Sequence, residues 1–323
     1  MAGTLIVSLD FELFWGMLDC STLEAYQDNV LGGRNAIPRL LELFHKYDIH
    51  ATWATVGFLF AENYEELTAF FPEPSLRPSY RDPRLDAYAE FASIGRNEEE
   101  APCFYGAKLI RLVADTPGQE IGSHTFCHYY CREAGQTVEQ FAADMAAAKN
   151  IAEAKGYTLT SVVLPRNQCE PEYTEVLKDC GFTAYRDEEN DWIHNKIKFR
   201  PLLRLLRLAD VYLPLTGQGG YKPKWEKGIW NFTGSRAFKA VSRSRHMLEG
   251  LKVRRIKKQM LHAAKNGLTF HLWWHPHNMG AMTEEFFAQL EDVLQYYTQL
   301  KAQYGMESLN MREAAEREGG KQS

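Results

Sequence analysis

Short runs of β-forming apolar residues alternate with segments of helical periodicity along most of this chain. The first unit is a strand at residues 5–9, a helix at residues 36–47 with apolar side chains three and four positions apart, and a second strand at residues 50–58. Successive parallel strands need a crossover connection between them, usually a helix. The alternation therefore predicts an α/β fold, which we expect to be a single domain built as a barrel or a barrel-like sheet.

Two stretches interrupt this alternation. Residues 72–106 contain five prolines and three consecutive glutamates, and we interpret them as an insertion that could form a lid. Residues 195–265 form a second insertion, which is rich in lysine and arginine. We expect residues 1–316 to be the domain and residues 317–323 to be a polar, frayed tail. The further predicted strands are residues 120–123, 161–164, 183–185 and 268–274, and the further predicted helices are residues 138–154, 174–180 and 284–304.

Two carboxylates, Asp10 and Glu12, follow the first predicted strand. In β/α barrels the residues at the carboxyl ends of the strands form the active site. Because side chains alternate along an extended chain, Asp10 and Glu12 should point to the same side. Such a pair can divide the work of a hydrolytic site, with one carboxylate binding a metal and the other accepting a proton. The alternative is a solvated strand end without a chemical role.

Other predicted strand ends carry imidazoles and an arginine. His124 and His128 are four residues apart, so a helical segment would present both to one side, as zinc ligands or as surface histidines. His275 ends the last predicted strand, which is otherwise aromatic and could equally be packed core. Arg166 follows an earlier strand, where it could hold a carboxylate in a fixed orientation or lie on the surface.

Taken in order, these segments resemble the motifs of the polysaccharide deacetylases, also known as the NodB-homology group or carbohydrate esterase family 4. The resembling segments are Ser8-Leu9-Asp10-Phe11-Glu12, residues 120–128 with the sequence EIGSHTFCH, Pro165-Arg166 and His275, with ATWATVG at residues 51–57 as the second core strand. The resemblance extends from about residue 5 to about residue 280, and the two interrupting stretches match poorly. It implies a distorted (β/α) barrel and a divalent metal, usually zinc.

The resemblance also implies roles for the central residues. Members of the family hold the metal with two histidines and one carboxylate, which correspond here to His124, His128 and Glu12. Their first motif usually has two adjacent aspartates, and Phe11 stands in place of the second. Relatives with an acid-x-acid arrangement use the second acid as the metal ligand, so the resemblance assigns Glu12 to the metal and Asp10 to the general base.

The remaining assignments concern the leaving group and the substrate. An amine leaves poorly unless it is protonated, and His275 resembles the family histidine that donates this proton. Arg166 resembles the arginine that orients the base. Asp191 and Trp192 resemble an acid–tryptophan pair that supports the acid histidine and lines the pocket, and Trp15 could stack on a sugar face. Both tryptophans could instead be core residues.

These features predict a metal-dependent hydrolase that removes an N-acyl group from a sugar of a cell-envelope polysaccharide or of its lipid-linked precursor. The acyl group that we expect is acetyl. Hydrolysis of a non-sugar amide or cyclic imide on the same scaffold is a second enzymatic interpretation. A third interpretation is a glycan-binding protein without catalytic activity, which the presence of Phe11 instead of an aspartate favours.

Basic charge is concentrated in residues 195–265, which contain 18 lysines and arginines against 3 acidic residues in a chain of net charge −5. Arg204 and Arg207 lie among leucines at helical spacing, a pattern typical of helices at membrane interfaces. One hypothesis is that the segment binds an anionic membrane surface. The alternative is that its charges pair with the acidic remainder of the chain. The sequence contains no nucleic-acid recognition motif, so we expect no nucleic-acid partner.

The start of the chain lacks the pattern of a secretion signal, and no apolar run approaches the roughly 20 residues that span a bilayer. The six cysteines are scattered and show no close C-x-x-C pair. We therefore expect a cytoplasmic protein with reduced thiols, held peripherally at the inner membrane face if the basic segment binds lipid.

Overall fold

The computed structural model describes residues 2–187, 193, 196–197 and 199–320, and within them strands and helices alternate as the sequence pattern predicts. The strands are β1 (Thr4–Phe11), β2 (Ala51–Thr55), β3 (Gln119–Ser123), β4 (Ser161–Val163), β5 (Ala184–Arg186), β6 (Lys224–Glu226), β7 (Ile229–Asn231), β8 (Arg236–Ala237), β9 (Thr269–Trp274) and β10 (Glu307–Ser308). The α-helices are α1 (Leu23–Tyr47), α2 (Tyr64–Thr68), α3 (Ala87–Phe91), α4 (Ala107–Ala114), α5 (Val138–Ala154), α6 (Pro171–Asp179), α7 (Arg200–Tyr212), α8 (Glu249–Asn266), α9 (Thr283–Tyr304) and α10 (Met311–Gly319).

The strands form one sheet in the order β6-β7-β5-β4-β3-β2-β1-β9-β8, with β10 beside β1. Its pairs are parallel except for β6 with β7. β7 pairs with β5 and β8 pairs with β9, and only residues 232–235 separate β7 from β8. The chain itself therefore bridges the gap that the hydrogen-bond ladder leaves open. The prediction of a mixed α/β fold of the distorted (β/α) barrel type is confirmed.

The side chains of β1 alternate between two faces of the sheet. Leu9 packs in the main apolar core with residues of the outer helices, among them Leu40 of α1. Ile6 belongs to a smaller cluster inside the barrel, which Met311 of α10 closes at the amino-terminal end of the strands. Because residues two apart share a face, Asp10 continues the inner row of side chains toward the carboxyl-terminal end.

A buried glutamate, Glu120, lies at the amino-terminal end of the barrel. The hydroxyl of Thr52 donates to its Oε2 at 2.7 Å, and the hydroxyl of Ser161 donates to its Oε1 at 2.5 Å. The backbone N–H of Arg312, in the first turn of α10, donates to Oε2 at 3.1 Å. This network ties α10 to the strands and satisfies both carboxylate oxygens.

The basic segment differs from the expected insertion. Part of residues 195–265 belongs to the barrel itself, because β7 and β8 pair with core strands and α8 packs its Ile256 and Met260 in the main core. The sequence did not show this because β7 and β8 have only three and two residues, too few for a periodic pattern. No helix in the described part of the chain is long and apolar enough to cross a membrane.

The other two irregular segments are more ordered than expected. Residues 72–106 contain α3 and short 3₁₀ turns, and Phe91 and Phe104 within them are buried. Whether this segment closes over the site stays a prediction. The expected frayed tail is corrected in part, since α10 runs to Gly319 and Arg317 forms an ion pair with Glu307 at 2.9 Å.

Candidate active site

Asp10, at the inner carboxyl end of β1, is held by the guanidinium of Arg186 at the end of β5. Nη1 and Nη2 of Arg186 donate to Oδ1 and Oδ2 of Asp10, each at 2.7 Å, and both side chains are buried. Arg186 also donates to Oγ of Ser8 at 2.8 Å and lies over the ring of Trp273, 4.3 Å from its centroid. Burial alone would raise the pKa of Asp10, but the charge of Arg186 and of nearby imidazoles holds it below its ordinary value. Asp10 is therefore an ionised carboxylate in a fixed orientation.

Glu12 faces the two predicted histidine ligands. Its Oε2 lies 3.2 Å from Nε2 of His124 and 3.0 Å from Nε2 of His128. The three possible ligand atoms lie within 4.8 Å of one another, and all three side chains are buried. Burial opposes ionisation of Glu12, but the surrounding imidazoles hold its pKa well below the ordinary value.

The protonation of the two imidazoles decides what this cluster can hold. Nδ1 of His124 is 2.7 Å from the backbone oxygen of Val163, which can only accept a hydrogen bond. Nδ1 therefore carries a proton and points away from Glu12, which leaves Nε2, 3.2 Å from Oε2 of Glu12, as the possible ligand atom. Burial lowers the pKa of His128, which favours its neutral form. Because Nε2 of both rings and the carboxylate of Glu12 face one another within 4.8 Å, the donor set fits a divalent metal.

The two histidines are presented by a loop after β3 rather than by a helix. Thr125 and His128 have positive φ, at 65° and 60°, which side-chain-bearing residues adopt only when the surroundings impose it. Asp144 of α5 imposes it here, because its buried carboxylate accepts from the backbone N–H of Phe126 at 2.7 Å and of Cys127 at 3.1 Å. The two imidazoles therefore face one way although residues 124–128 are not helical, which was the condition that their spacing suggested.

Trp15 does not line the site as the sugar-stacking prediction required. It is 1% exposed, its indole N–H donates to the backbone oxygen of Phe104 at 2.9 Å, and its ring meets those of Phe58 and Phe104 edge to face. The turn that contains it instead closes over Glu12. A Cβ at Gly16 would lie 2.1 Å from the Glu12 carboxylate, so only glycine allows this approach.

Two further histidines face the carboxylates from the end of β9. Nε2 of His275 lies 3.6 Å from Oδ2 of Asp10 and 3.6 Å from Oε1 of Glu12, and this side chain is 28% exposed. The ring of His277 stacks on that of His275 with centroids 4.9 Å apart, and its Nδ1 lies 4.0 Å from Oε1 of Glu12. Burial lowers the pKa of His277 to about 4, which keeps it neutral. The accessible member of this pair is His275.

Arg166 does not orient Asp10, as the resemblance implied. It adopts a φ of 58° in the turn after β4 and lies across the mouth of the barrel. There its guanidinium pairs with Asp19 and Glu133, each at 2.6 Å. The correction follows from this turn, which directs the side chain outward and leaves the buried contact with Asp10 to Arg186.

Three residues of the site were not predicted from the sequence. Arg186 directly follows a predicted strand. Arg166, one strand earlier, was chosen because it has the same position relative to its own strand. Asp144 is an acid among the apolar positions of a predicted helix, and His277 lies two residues beyond a selected histidine. The predicted supporting residues Asp191 and Trp192 lie outside the described residues.

Comparison with known protein families relates this site to a class of enzyme. Residues 25–185 match the family model of the polysaccharide deacetylases. The matched stretch contains both predicted histidine ligands, whereas Asp10, Glu12 and His275 lie beyond its ends. No curated protein sequence matches the chain.

Solved structures agree at the level of the fold. A Mycobacterium smegmatis protein assigned to the polysaccharide deacetylases matches with a TM-score of 0.61 and 13% identity, covering 100% of this chain and 92% of its own. A Pseudomonas aeruginosa PAO1 protein with the same assignment has a TM-score of 0.58 and 13% identity, with 97% and 89% covered. The allantoinase PuuE has a TM-score of 0.58 and 13% identity, with 97% and 88% covered.

Proposed function

Because the chain belongs to the polysaccharide deacetylase family over residues 25–185, we propose that it is a metal-dependent hydrolase of N-acyl groups, acetyl in the first place. Its proposed substrate is a sugar of a cell-envelope polysaccharide or of the lipid-linked precursor. The observation that carries the proposal is the group of buried acceptor atoms in which Glu12 faces His124 and His128. The three possible ligand atoms lie within 4.8 Å of one another, close enough to bind one metal ion together.

Glu12, His124 and His128 would hold this cation. Two imidazoles and one carboxylate are a donor set that suits zinc, so we propose Zn²⁺. When bound, such an ion supplies Lewis-acid chemistry, which polarises an amide carbonyl and acidifies water. The hydrogen bond from His124 to Val163 supports the proposal, because it fixes the ring with one nitrogen directed at Glu12.

The reaction steps of the chain's own residues follow from their positions. A water oxygen adds to the acyl carbon, and Asp10 accepts the proton that this water loses. Arg186 keeps that carboxylate ionised and aimed inward. The C–N bond then breaks, and His275, on the open side of the two carboxylates, donates a proton to the departing amine. The products are a carboxylate and an amino sugar.

The proposed location is the cytoplasm. All six cysteines are free thiols in the structure, which supports a reducing compartment. Phe11 weakens the non-catalytic interpretation, because its ring is buried edge to face against Trp53 and points away from the site. Glu12, one residue later, faces the imidazoles in its place.

A hydrolase of a non-sugar amide or cyclic imide is the second candidate. The allantoinase matches the fold with the same TM-score and identity as the Pseudomonas protein, so the fold alone does not choose the substrate.

Release of acetate from N-acetylated sugars, measured with the purified chain before and after zinc is removed by a chelator, tests the proposal. We expect zinc-dependent release that His275→Gln reduces by about a hundredfold or more. His45→Gln, a change of an exposed histidine on α1, should leave it intact. Ring opening of cyclic imides without acetate release would favour the second candidate, and sugar binding without any hydrolysis would favour the glycan-binding interpretation.

A further inference from the structure

Seven of the eleven large apolar side chains that are exposed in the described chain lie on or directly after α7, in the turn before α8 or in its first turn. Leu202, Leu205 and Leu208 recur every third residue along the outer side of α7, and Leu205 is 61% exposed. Met247, 95% exposed, lies in the turn before α8. Leu213, Leu248 and Leu251 are also exposed there. We call these seven residues the apolar surface.

The two parts of the apolar surface are joined. The hydroxyl of Tyr212, at the end of α7, donates to Glu249 at 3.3 Å and accepts from Arg245 at 3.0 Å, so α7 is tied to the turn that contains Met247. Arg255 of α8 donates to the backbone oxygen of Leu213. The leucines of α7 and the residues around Met247 therefore belong to adjoining elements.

Around the apolar surface, the acidic side chains are buried and the exposed charged side chains are basic. Asp210 is buried and pairs with Arg236 and Arg255, at 2.6 and 2.7 Å. Glu249 is buried and pairs with Lys252 at 2.6 Å. The acidic residues of α7 and of the first turns of α8 are thus turned inward and neutralised. The exposed charged side chains of these elements are basic, namely Arg204, Arg207, Arg243, Arg254 and Lys258.

This pairing bears on both interpretations of the basic segment. Some of its basic side chains do pair internally, as those of Arg236, Arg255 and Lys252 show. Several others, such as Arg204 and Arg254, are exposed on the same elements as the large apolar side chains. This combination matches an anionic lipid bilayer, where leucine and methionine enter the interface and arginine meets the headgroups. A soluble anionic partner would account for the arginines but not for Met247.

The apolar surface lies beside the active site. β8 runs parallel to β9, with Ala237 opposite Trp273, so the chain leaves β8 at the same end of the barrel as His275. The turn with Met247 follows within ten residues, and α8 begins there. A bilayer on this surface would therefore lie next to the mouth of the barrel.

We propose that the apolar surface and its surrounding arginines dock the protein on an anionic bilayer, and that the substrate is an N-acylated sugar carried on an anionic membrane lipid. The substrate part rests on the proposed function, whereas the docking part does not.

Co-sedimentation of the full chain with vesicles tests the docking. We expect binding to phosphatidylcholine vesicles that contain phosphatidylglycerol, weaker binding at raised salt, and little binding to phosphatidylcholine alone. Leu205→Gln with Met247→Gln, and separately Arg204→Glu with Arg254→Glu, should each weaken binding by at least about tenfold. Leu112→Gln and Arg312→Glu, at exposed positions on α4 and α10, are the matched controls and should bind like wild type.

The docking proposal would be overturned if the wild-type protein did not bind anionic vesicles, or if the surface variants bound them as well as wild type. A second copy as the occupant would also overturn it, and light scattering would reveal this as a dimer that Met247→Gln converts to monomer. Hydrolysis separates the two proposals. The surface variants should keep activity on a water-soluble N-acetyl sugar while losing it on the same sugar attached to a lipid phosphate in vesicles. Vesicle binding without any hydrolysis would refute the proposed function alone.

Discussion

Two buried glutamates at opposite ends of the barrel have different partners. At the amino-terminal end, Glu120 accepts hydrogen bonds from the hydroxyls of Thr52 and Ser161 and from a backbone N–H. At the carboxyl-terminal end, Glu12 faces the Nε2 atoms of His124 and His128 at 3.2 and 3.0 Å. The first network is complete as it stands. The second brings together a carboxylate and two imidazole nitrogens that could hold a metal ion, and we propose the chemistry at that end.

Backbone strain follows the same division. Of the seven non-glycine residues with positive φ in the described chain, five lie in loops at the carboxyl-terminal end of the strands, namely Leu13, Thr125, His128, Arg166 and Asn167. Such conformations cost free energy and persist where the surrounding structure holds them. The comparison indicates that the strained backbone and the charged site lie at the same end of the barrel.

Glu12→Gln should have the largest effect, and it tests the difference between the two ends of the barrel. The amide lacks the charge that a cation requires, so hydrolysis should fall about a thousandfold, which corresponds to several kcal/mol of lost stabilisation. The metal-free variant should still fold, because glutamine fills the same space as glutamate. Metal content by mass spectrometry and denaturant unfolding check both effects. Undiminished metal content in the folded variant would contradict the account.

Arg186→Met should have the next largest effect. It leaves the Asp10 carboxylate buried without its partner, which costs about 3–5 kcal/mol of unfolding free energy, and it should lower kcat more than it changes KM. The matched control is Arg166→Met, whose partly exposed ion pairs contribute at most about 1 kcal/mol. Combining Arg186→Met with Asp10→Asn should recover part of the lost stability. Equal effects of the two arginines would refute the assignment.

Asp144→Asn should remove a pH dependence of the free energy of unfolding. Burial raises the pKa of Asp144 to about 6 from 3.8. The folded state thus holds this proton more tightly than the unfolded state, and the stability that Asp144 contributes falls as pH rises from about 4 to about 6. The unfolding free energy of wild type minus that of the variant should fall by about 3 kcal/mol over this range. A difference that is flat with pH would show that Asp144 is not buried as described.

Glu120→Gln is the corresponding substitution at the amino-terminal end, and it should affect stability rather than metal content or hydrolysis. The glutamine amide places a donor where either Thr52 or Ser161 also donates, so the unfolding free energy should fall by about 2 kcal/mol. The metal content and the hydrolytic rate should stay near wild type, unlike those of Glu12→Gln. Loss of metal in folded Glu120→Gln would remove the distinction between the two ends.

The smallest expected effect is at His50, also at the amino-terminal end. A hydrogen bond with Glu313 raises the pKa of His50. The stabilisation is therefore fully present below the unfolded pKa of about 6.5 and is lost as pH rises through the folded value. Because the pair is about one-third exposed, His50→Asn should cost less than about 1 kcal/mol at low pH and nothing at high pH. A larger loss at high pH would contradict this assignment.

The sequence predicts the parts of this molecule that depend on local pattern. Strand–helix alternation and the positions of Asp10 and Glu12 at a strand end follow from periodicities of two and 3.6 residues. Arg186 could not be chosen over Arg166, because the choice depends on a turn with positive φ. The burial of Trp15 was equally inaccessible, since it depends on Phe104, 89 residues away.

The central claim is that Glu12, His124 and His128 hold one divalent cation. Crystals grown with zinc, measured on both sides of the zinc absorption edge, test it directly. The account predicts one strong anomalous peak at about 2.0–2.2 Å from Oε2 of Glu12 and from Nε2 of each histidine. Crystals of catalytically active protein with no peak between these three atoms, or with the peak elsewhere, would contradict it.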